Sequence, residues 1–492
     1  MLSGMSYRYA TAASVRSSLQ PCSHRSRPYV LIAKFDTRQC TPWRLQAEIN
    51  SDTDTSHRLE CVISVLNLWL SSPSIPEIPT ACVHLHKMLD SNISPNVNEV
   101  IDLGLYQFTW TGDHVSEGVL KKMQSAYDVL GNSTLERLQD IQLKTGQKDL
   151  FAILGDCYCS DSVLAAFWTE TNTVPEWVDW TQIERGQRFF YKHMAANFVG
   201  FALQGFMGEN ASTGSTAEVL VKTGGFSTRV LLRRLLETFQ WLLQITKDID
   251  SIKPGGEGHI ATIRVRLLHA AVRYRLMKLA AAKTGYFDAQ KHGVPINTTD
   301  SMHSIATFGC NPIWLQLPRL GITPSSEEAE DYMALFRYVA YVIGTPHEPF
   351  RSATTGKACM ESIEMLLRPT EKSKILGHNF IECLKDVPPL NLSRPFIEAG
   401  IRIINGEKHG DLIDTSRPSS LSYCQFYGLC FILRGMTFAE RLSPRFERYL
   451  VAVSAHVSSH IDRRLILEAF EGLDLCHHRG KSFPQIWTRW SK

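Results

Sequence analysis

The segment TIRVRLLHAAVRYRLM, residues 262–277, has the apolar rhythm of a core helix but also carries four arginines and one histidine. At 100° per residue, Arg266, His269 and Arg273 fall along one face, because steps of three and four residues return to it. Thr262 extends that face by one turn. An imidazole between two guanidiniums is unfavourable unless anions offset the positive charge. The pattern therefore indicates either a solvated basic face or one wall of a site for an anionic ligand.

A haem b group would complete this stripe, because it supplies iron for a neutral imidazole nitrogen and two propionates for arginines. The neighbouring positive charges would also lower the proton affinity of His269 and keep the ring able to bind a metal. On this hypothesis His269 is a candidate axial haem ligand, with Arg266 and Arg273 as propionate or structural partners. From this helix alone, an ordinary solvated basic face is the simpler interpretation.

The preceding apolar helix places two further polar groups four residues apart, Arg234 and Thr238. The turn SIKPGGEGH, residues 251–259, allows the two helices to pack as an antiparallel hairpin. In such a hairpin, both groups line one cavity together with Arg266 and His269. The alternatives are a surface position for Arg234 and a hydrogen bond from Thr238 to a carbonyl one turn earlier.

Apolar residues recur at helical spacing through most of the chain beyond residue 115, and strand-like alternation is rare. The clearest helices are predicted over 228–245, from near Ala261 to before Gly285, and over 327–344. The last of these opens with a serine cap and early acids and closes at Gly344. The sequence therefore predicts an all-α fold.

The chain divides into three predicted regions. Residues 1–100 are rich in Ser, Thr and Pro and are predicted to form an irregular N-terminal extension. Residues 101–350 are predicted to form the helical core, which carries the stripe around His269. Residues 351–492 are predicted to form a helical region that packs on this core.

Composition excludes several classes of protein. The 492 residues carry a formal net charge of +3, too balanced to indicate a nucleic-acid surface. Twelve cysteines are scattered without a CxxC pair, so we expect reduced thiols rather than disulfides or a zinc site. No stretch reaches the roughly 18 to 20 uninterrupted apolar residues of a spanning helix, so we expect no transmembrane segment.

These features favour a cytoplasmic protein or one peripheral to an intracellular membrane. The first 35 residues are rich in Arg and Ser and contain no acid before Asp36. They resemble a mitochondrial presequence in composition, but a disordered tail is the simpler interpretation.

Several motifs recur in the order found in one oxygenase family. The series begins with VLVKTGGFSTRVLLRRLLET and RVRLLHAAVR, and continues with GVPINTTDSMHSIATF at 293–308 and FRYVAYVIG at 336–344. These motifs resemble the family typified by bacterial latex-clearing rubber oxygenase and the fungal MpaB-type oxygenase. An upstream segment resembles the lead-in of fungal members, VPEWVDWTQIERGQRFFYKH at 174–193. The resemblance is clearest over roughly residues 150–350.

This resemblance implies an all-α globule that holds one haem b. It places the family's Arg-x-x-x-Thr pair on Arg234 and Thr238, as residues of the haem pocket and of catalysis. Its haem-binding histidine falls on His269, between the two arginines of the stripe. A glutamate proposed as a base in rubber oxygenase falls near Glu218, for which a solvent-facing position is the alternative. The family's distal lysine has no counterpart that we identify in this sequence.

The function implied by the resemblance is oxidation of an apolar, unsaturated polyprenyl, terpenoid or polyketide molecule by haem b and O2, with C=C cleavage in secondary metabolism. Six aromatic residues are candidates for an apolar tunnel, with plain core packing as the alternative: Phe189, Phe198, Phe201, Phe206, Phe239 and Trp241. Two other functions stay open. One is a haem-binding sensor or degenerate paralogue without turnover, and the other is a helical interaction scaffold without a cofactor.

Overall fold

The structure, a computed structural model, describes residues 95–471 except 105, 211, 225–226 and 388–390, with side chains described through residue 457. The chain divides into two units, residues 1–83 and 84–492, and the described residues all belong to the second. The predicted extension over residues 1–100 therefore lies almost wholly outside the described residues.

Helices form nearly all of the regular structure in this described part of the chain, so the predicted all-α fold is confirmed. The helices are α1 Glu117–Met123, α2 Val129–Thr145, α3 Leu150–Cys157, α4 Ser162–Asn172, α5 Trp180–Lys192, α6 Met194–Gly200, α7 Gly214–Lys222, α8 Thr228–Thr246, α9 Ile249–Ile252, α10 Glu257–Ala282, α11 Ala289–His292, α12 Thr298–Gly309, α13 Leu317–Arg319, α14 Ser326–Val342, α15 Ala353–Glu364, α16 Glu371–Leu384, α17 Arg394–Asn405, α18 Glu407–Leu412, α19 Ser420–Leu442 and α20 Pro444–Glu471.

Four short helical segments of other geometry complete the path. Two have π geometry, Phe201–Asn210 and Pro312–Gln316, and two are 3-10 turns, Tyr158–Ser160 and Glu348–Phe350.

One small antiparallel sheet precedes the helices. Strands β1 Val100–Asp102 and β2 Gln107–Thr109 pair with Val100 opposite Thr109. The segment that follows is fastened to α15, because the His114 Nε2 lies 2.9 Å from a carboxylate oxygen of Glu361.

The two long helices that carry the predicted site, α8 and α10, pack against each other. Gly255, in the turn that precedes α10, has φ +86°, a conformation that favours glycine. Gly258, in the first turn of α10, lies so close to α8 that an added Cβ would sit 2.6 Å from the Gln244 carbonyl oxygen. The helix begins at Glu257, one turn before the predicted start near Ala261, because this tertiary contact compensates the low helix propensity of glycine.

The core is centred on α5 and α14, which make the most extensive helix–helix contact. Helix α14 follows the prediction closely: Ser325 caps it, Glu328 completes the capping box, and Gly344 follows its end with φ +77°. Fully buried aromatic residues of α14, including Tyr332 and Phe336, fill this core. Helices of the predicted region 351–492 belong to the same hydrophobic cluster, through side chains such as Ile401 and Phe426.

A buried ion pair fixes α10 against the start of α2. Arg266, 2% exposed, donates from Nε to Asp128 Oδ2 at 2.7 Å and from Nη2 to Oδ1 at 2.9 Å. The same Asp128 carboxylate caps α2 by accepting from the Gly131 N–H at 3.0 Å. The Arg266 Nη1 also lies 2.8 Å from the Glu170 carboxylate. Because Asp128 serves two helices, its loss would disturb both.

Among residues 95–471, no single helix has the length and apolar character needed to cross a membrane. One pair passes that test only when its two helices are counted together across a 112° bend, Leu150–Ser160 with Ser162–Asn172.

We expect Asp128→Ala to lower the free energy of unfolding by about 3 to 5 kcal/mol, since it leaves a buried guanidinium without its bidentate partner. The measurement is chemical denaturation followed by circular dichroism. The matched control is Asp179→Ala, which removes the cap of α5 but leaves the Arg266 pair intact and should cost about 1 kcal/mol. Equal losses for the two variants would show that Asp128 acts only as a cap.

Candidate active site

A cavity of about 290 Å³ lies along the α8–α10 pair and is closed by residues from α7, α12 and the Phe201–Asn210 segment. We call it the hairpin cavity. Its volume is near the lower end of the roughly 300–1,000 Å³ typical of small-molecule sites. Most of the lining is apolar, including Leu231, Leu235, Trp241, Val265, Leu268, Val272, Ile305 and Phe308. The site is therefore suited to an apolar ligand held by a few polar groups.

His269 projects from α10 to the wall of this cavity. The side chain keeps some accessible surface although protein atoms surround it, so that surface faces the cavity rather than bulk solvent. No described residue forms a hydrogen bond with the ring. Burial and the Arg273 guanidinium lower the pKa of His269 to about 4. The imidazole is therefore neutral at physiological pH and offers a nitrogen lone pair to a ligand.

Arg234 and Thr238 line the same cavity from α8. Arg234 donates from Nη2 to the Thr223 carbonyl oxygen at 2.7 Å, and burial lowers its pKa to about 10, so it stays charged. The Thr238 hydroxyl donates to the Arg234 carbonyl oxygen at 2.8 Å, which is the back-bonded alternative considered for this residue. Because that bond uses the hydroxyl proton, Thr238 presents only acceptor capacity to a ligand.

Arg266 and Arg273 do not line the cavity, although they share a helical stripe with His269. Both are 2% exposed, so the interpretation as a solvated basic face is wrong for them. Arg266 is held by its carboxylate partners, and Arg273 donates to the carbonyl oxygens of Pro295 at 3.1 Å and Ile296 at 2.6 Å. Its Nη1 also donates to Asn132 Oδ1 at 2.6 Å. These contacts make both arginines structural partners of the protein itself, and a propionate role for them stays a prediction that the geometry does not favour.

Glu218 lies on α7, and it is not part of the cavity lining. It is 5% exposed, so the solvent-facing alternative is wrong. Its carboxylate forms an ion pair with Lys372 and lies 3.8 Å from the Lys222 ammonium. The base role that the resemblance implies for Glu218 stays a prediction without support from this position.

The carboxylate that does line the cavity is Glu237, which the sequence reasoning missed. Its Oε1 lies 3.5 Å from Arg233 Nε, and burial raises its pKa. The signal was available, because Glu237 lies three residues after Arg234 and next to Thr238, on the face already assigned to the pocket. Glu237 is thus a candidate proton donor or acceptor within the cavity.

The aromatic candidates divide between the cavity and the core. Phe206 and Trp241 line the cavity, and the indole N–H of Trp241 donates to the Thr262 hydroxyl at 3.1 Å. Of the other four, Phe189 and Phe201 are buried in the hydrophobic core, and Phe198 and Phe239 are partly buried and pack against it.

The chain is similar to known oxygenases. A sequence model of the family described as "ER-bound oxygenase mpaB/B'/Rubber oxygenase, catalytic domain" matches residues 190–434, a range that includes every residue lining the cavity. The rubber oxygenase of Streptomyces sp. (strain K30) is 27% identical over 267 residues, or 52% of this chain. That alignment spans 62% of the relative, less than two thirds of its length.

A solved structure of latex clearing protein LCP in the closed state has the same helical fold. It matches with a TM-score of 0.53 at 18% identity, covering 73% of this chain and 95% of that one.

We expect Glu218→Gln to lower the free energy of unfolding by about 1 kcal/mol, because its lysine partners are partly exposed and can be resolvated. It should leave ligand binding in the cavity unchanged. Glu237→Gln is the matched control, since it makes the same chemical change on the cavity wall and should alter ligand affinity. Calorimetry with an apolar ligand and chemical denaturation measure the two effects. A Glu218→Gln variant of full stability but impaired binding would contradict this placement.

Proposed function

The chain belongs to the family of MpaB-type and rubber oxygenases, and from that premise we propose that it is a haem b-dependent oxygenase that oxidises a hydrophobic, unsaturated molecule with O2. Polyprenyl, terpenoid and polyketide chains are the proposed substrate class, with reaction at a C=C bond. The apolar lining of the hairpin cavity supports a hydrophobic substrate.

One observation carries the haem proposal: a neutral histidine without a hydrogen-bond partner among the described residues faces an apolar cavity. A haem iron needs a single axial imidazole of this kind. The described residues contain no cluster of three or more His, Cys, Asp or Glu side chains that could hold a metal without such a group. The donor set of the cavity therefore fits haem at His269.

Fewer arginines are placed to meet the propionates of haem than the sequence predicted. Arg234 is the guanidinium on the cavity wall, and it remains charged at neutral pH. We assign the interaction with a propionate to Arg234 rather than to Arg266 and Arg273, whose donors are bound to protein acceptors.

The chain's own groups divide the remaining work. Bound haem supplies the redox chemistry with O2. His269 holds the cofactor through its neutral ring, and the apolar lining excludes water and orients the substrate chain. Thr238 accepts a hydrogen bond from a bound group, and Glu237 holds or releases a proton at its carboxyl oxygen.

Absorption spectra test the cofactor assignment. We expect wild-type protein, produced with added iron, to show a Soret band, and His269→Ala to lose haem or show a shifted band with weak retention. His292→Ala is the matched control, because His292 is a partly buried histidine that does not line the cavity. An unchanged spectrum of His269→Ala would place the ligand elsewhere, and a colourless wild type would favour the scaffold function.

Oxygen consumption separates the oxygenase from a haem-binding protein without turnover. We expect the haem-loaded protein to consume O2 when polyisoprene or a terpenoid alkene is added, but not with the saturated analogue. Arg234→Ala should lower the rate at least about tenfold if the guanidinium positions the cofactor. Haem-loaded protein that consumes no O2 with any alkene would support the sensor alternative.

A further inference from the structure

The outer face of α19 carries an uncharged stripe whose members are spaced alternately by three and four residues. We call it the α19 seam: Leu421, Cys424, Gly428, Phe431, Gly435, Phe438 and Leu442. All seven are exposed. A repeat of this kind over three heptads is the pattern by which one helix packs along another.

The seam points directly away from the body of the protein. Helix α19 is anchored by its opposite face, where Phe426, Leu433 and Thr437 are buried. On the seam, Phe431 and Phe438 are 57% and 60% exposed. Contiguous exposed apolar patches larger than a few hundred Å² generally mark an interaction site.

The nearby arginines do not bring charge onto the seam. Arg441 donates to the Thr323 carbonyl oxygen at 2.9 Å, and the Arg434 side chain lies against Gly321. Both side chains therefore lean back over the 321–323 loop. The seam stays apolar along its whole length.

Two glycines in the seam have no explanation within the fold. Gly428 and Gly435 lie in the helix interior, where glycine costs about 1 kcal/mol relative to alanine. A Cβ added at either position would meet no heavy atom within 4 Å. Neither residue has a positive φ. Their small size serves something that approaches from outside.

We propose that the α19 seam is the interface of a homodimer, in which the seams of two copies pack antiparallel. The seam has two alternating series of positions, one that contains the two glycines and one that contains the two phenylalanines. In an antiparallel pair each series lies opposite the other series of the partner. Phe431 then lies over the partner's Gly435, and Phe438 over the partner's Gly428. Each phenylalanine fills the space that a glycine leaves, and the two-fold axis repeats both contacts.

A parallel arrangement would not use this pattern. It would set each phenylalanine against its own copy and each glycine against its own copy, which leaves voids at the glycine layers. A lipid surface would not require small residues at seven-residue intervals either. A second copy is therefore the occupant that the seam fits.

The exposed apolar area is of the order that a dimer interface buries. The six large apolar side chains on and beside the seam are 57 to 70% exposed: Leu421, Tyr427, Phe431, Ile432, Phe438 and Leu442. Together they expose at most about 800 Å² per copy, which is of the same order as the roughly 800 Å² per partner that specific interfaces bury.

Light scattering after size exclusion tests the interface on the full chain. We expect wild-type protein to have the mass of a dimer and Phe431→Glu to weaken association at least about tenfold. Gly435→Leu should also weaken association, although it removes a helix-interior glycine and should raise monomer stability. Leu143→Glu, at an 84% exposed position on α2, is the matched control and should stay dimeric. A monomeric wild type, or a dimer that survives Phe431→Glu, overturns the proposal.

Cysteine cross-linking tests the orientation. The antiparallel register sets Cys424 opposite the partner's Leu442, so Leu442→Cys should give a disulfide-linked dimer under mild oxidation. Adding Cys424→Ser should abolish that band. A band that persists in the double variant indicates a parallel pair and overturns the register. Monomeric wild-type protein that binds phosphatidylcholine vesicles, with binding lost in Phe431→Glu, would assign the seam to a lipid surface and would also overturn the proposal.

Discussion

The site depends on how two buried guanidiniums of α10 find acceptors inside the protein. Arg266 and Arg273 cannot be buried unless carboxylates or carbonyls meet them, and those partners come from the start of α2 and from residues 295–296. Their contacts fix the rotation of α10 about its axis. His269 lies at the border between this arginine face and the apolar face formed by Val265, Leu268 and Val272. The histidine faces the cavity because the arginines have already been satisfied elsewhere.

Burial acts on all three ionisable groups of the hairpin cavity in the same direction. It lowers the pKa of His269 and of Arg234 and raises the pKa of Glu237, so in each case the charged form is disfavoured. The Arg234 guanidinium keeps its charge at neutral pH, because its intrinsic basicity is so high. The cavity is thus a low-polarity space with a buried guanidinium on its wall. Such a space favours an apolar molecule that ends in an acidic group.

The sequence predicted local structure well and long-range partners poorly. Apolar spacing located α8 and α14, and the Ser325 cap was readable because a capping box needs only residues three apart. The pairing of Arg266 with Asp128 and of Arg273 with Asn132 could not be predicted, since each partner precedes its arginine by more than a hundred residues.

The difficulty of predicting long-range partners also explains why the ion pair of Glu218 was not foreseen, whereas Glu237 was missed for another reason. Resemblance drew attention to Glu218, whose lysine partner, Lys372, lies far along the chain on α16. Helical spacing assigned Arg234 and Thr238 of α8 to the cavity, but Glu237 on the same face was overlooked. Spacing therefore finds which side chains share a helix face, whereas only the packed structure decides what each face meets.

Asp128 has a role that extends beyond its own contacts. Because one carboxylate terminates α2 and also holds the arginine that orients α10, neither helix can open locally without exposing the other's unsatisfied groups. The two helices thus form one cooperative unit for amide hydrogen exchange, and their protected protons should be released at a common rate. Helix α10, which carries His269, would then be as stable to local unfolding as the surrounding core, even without a ligand in the cavity.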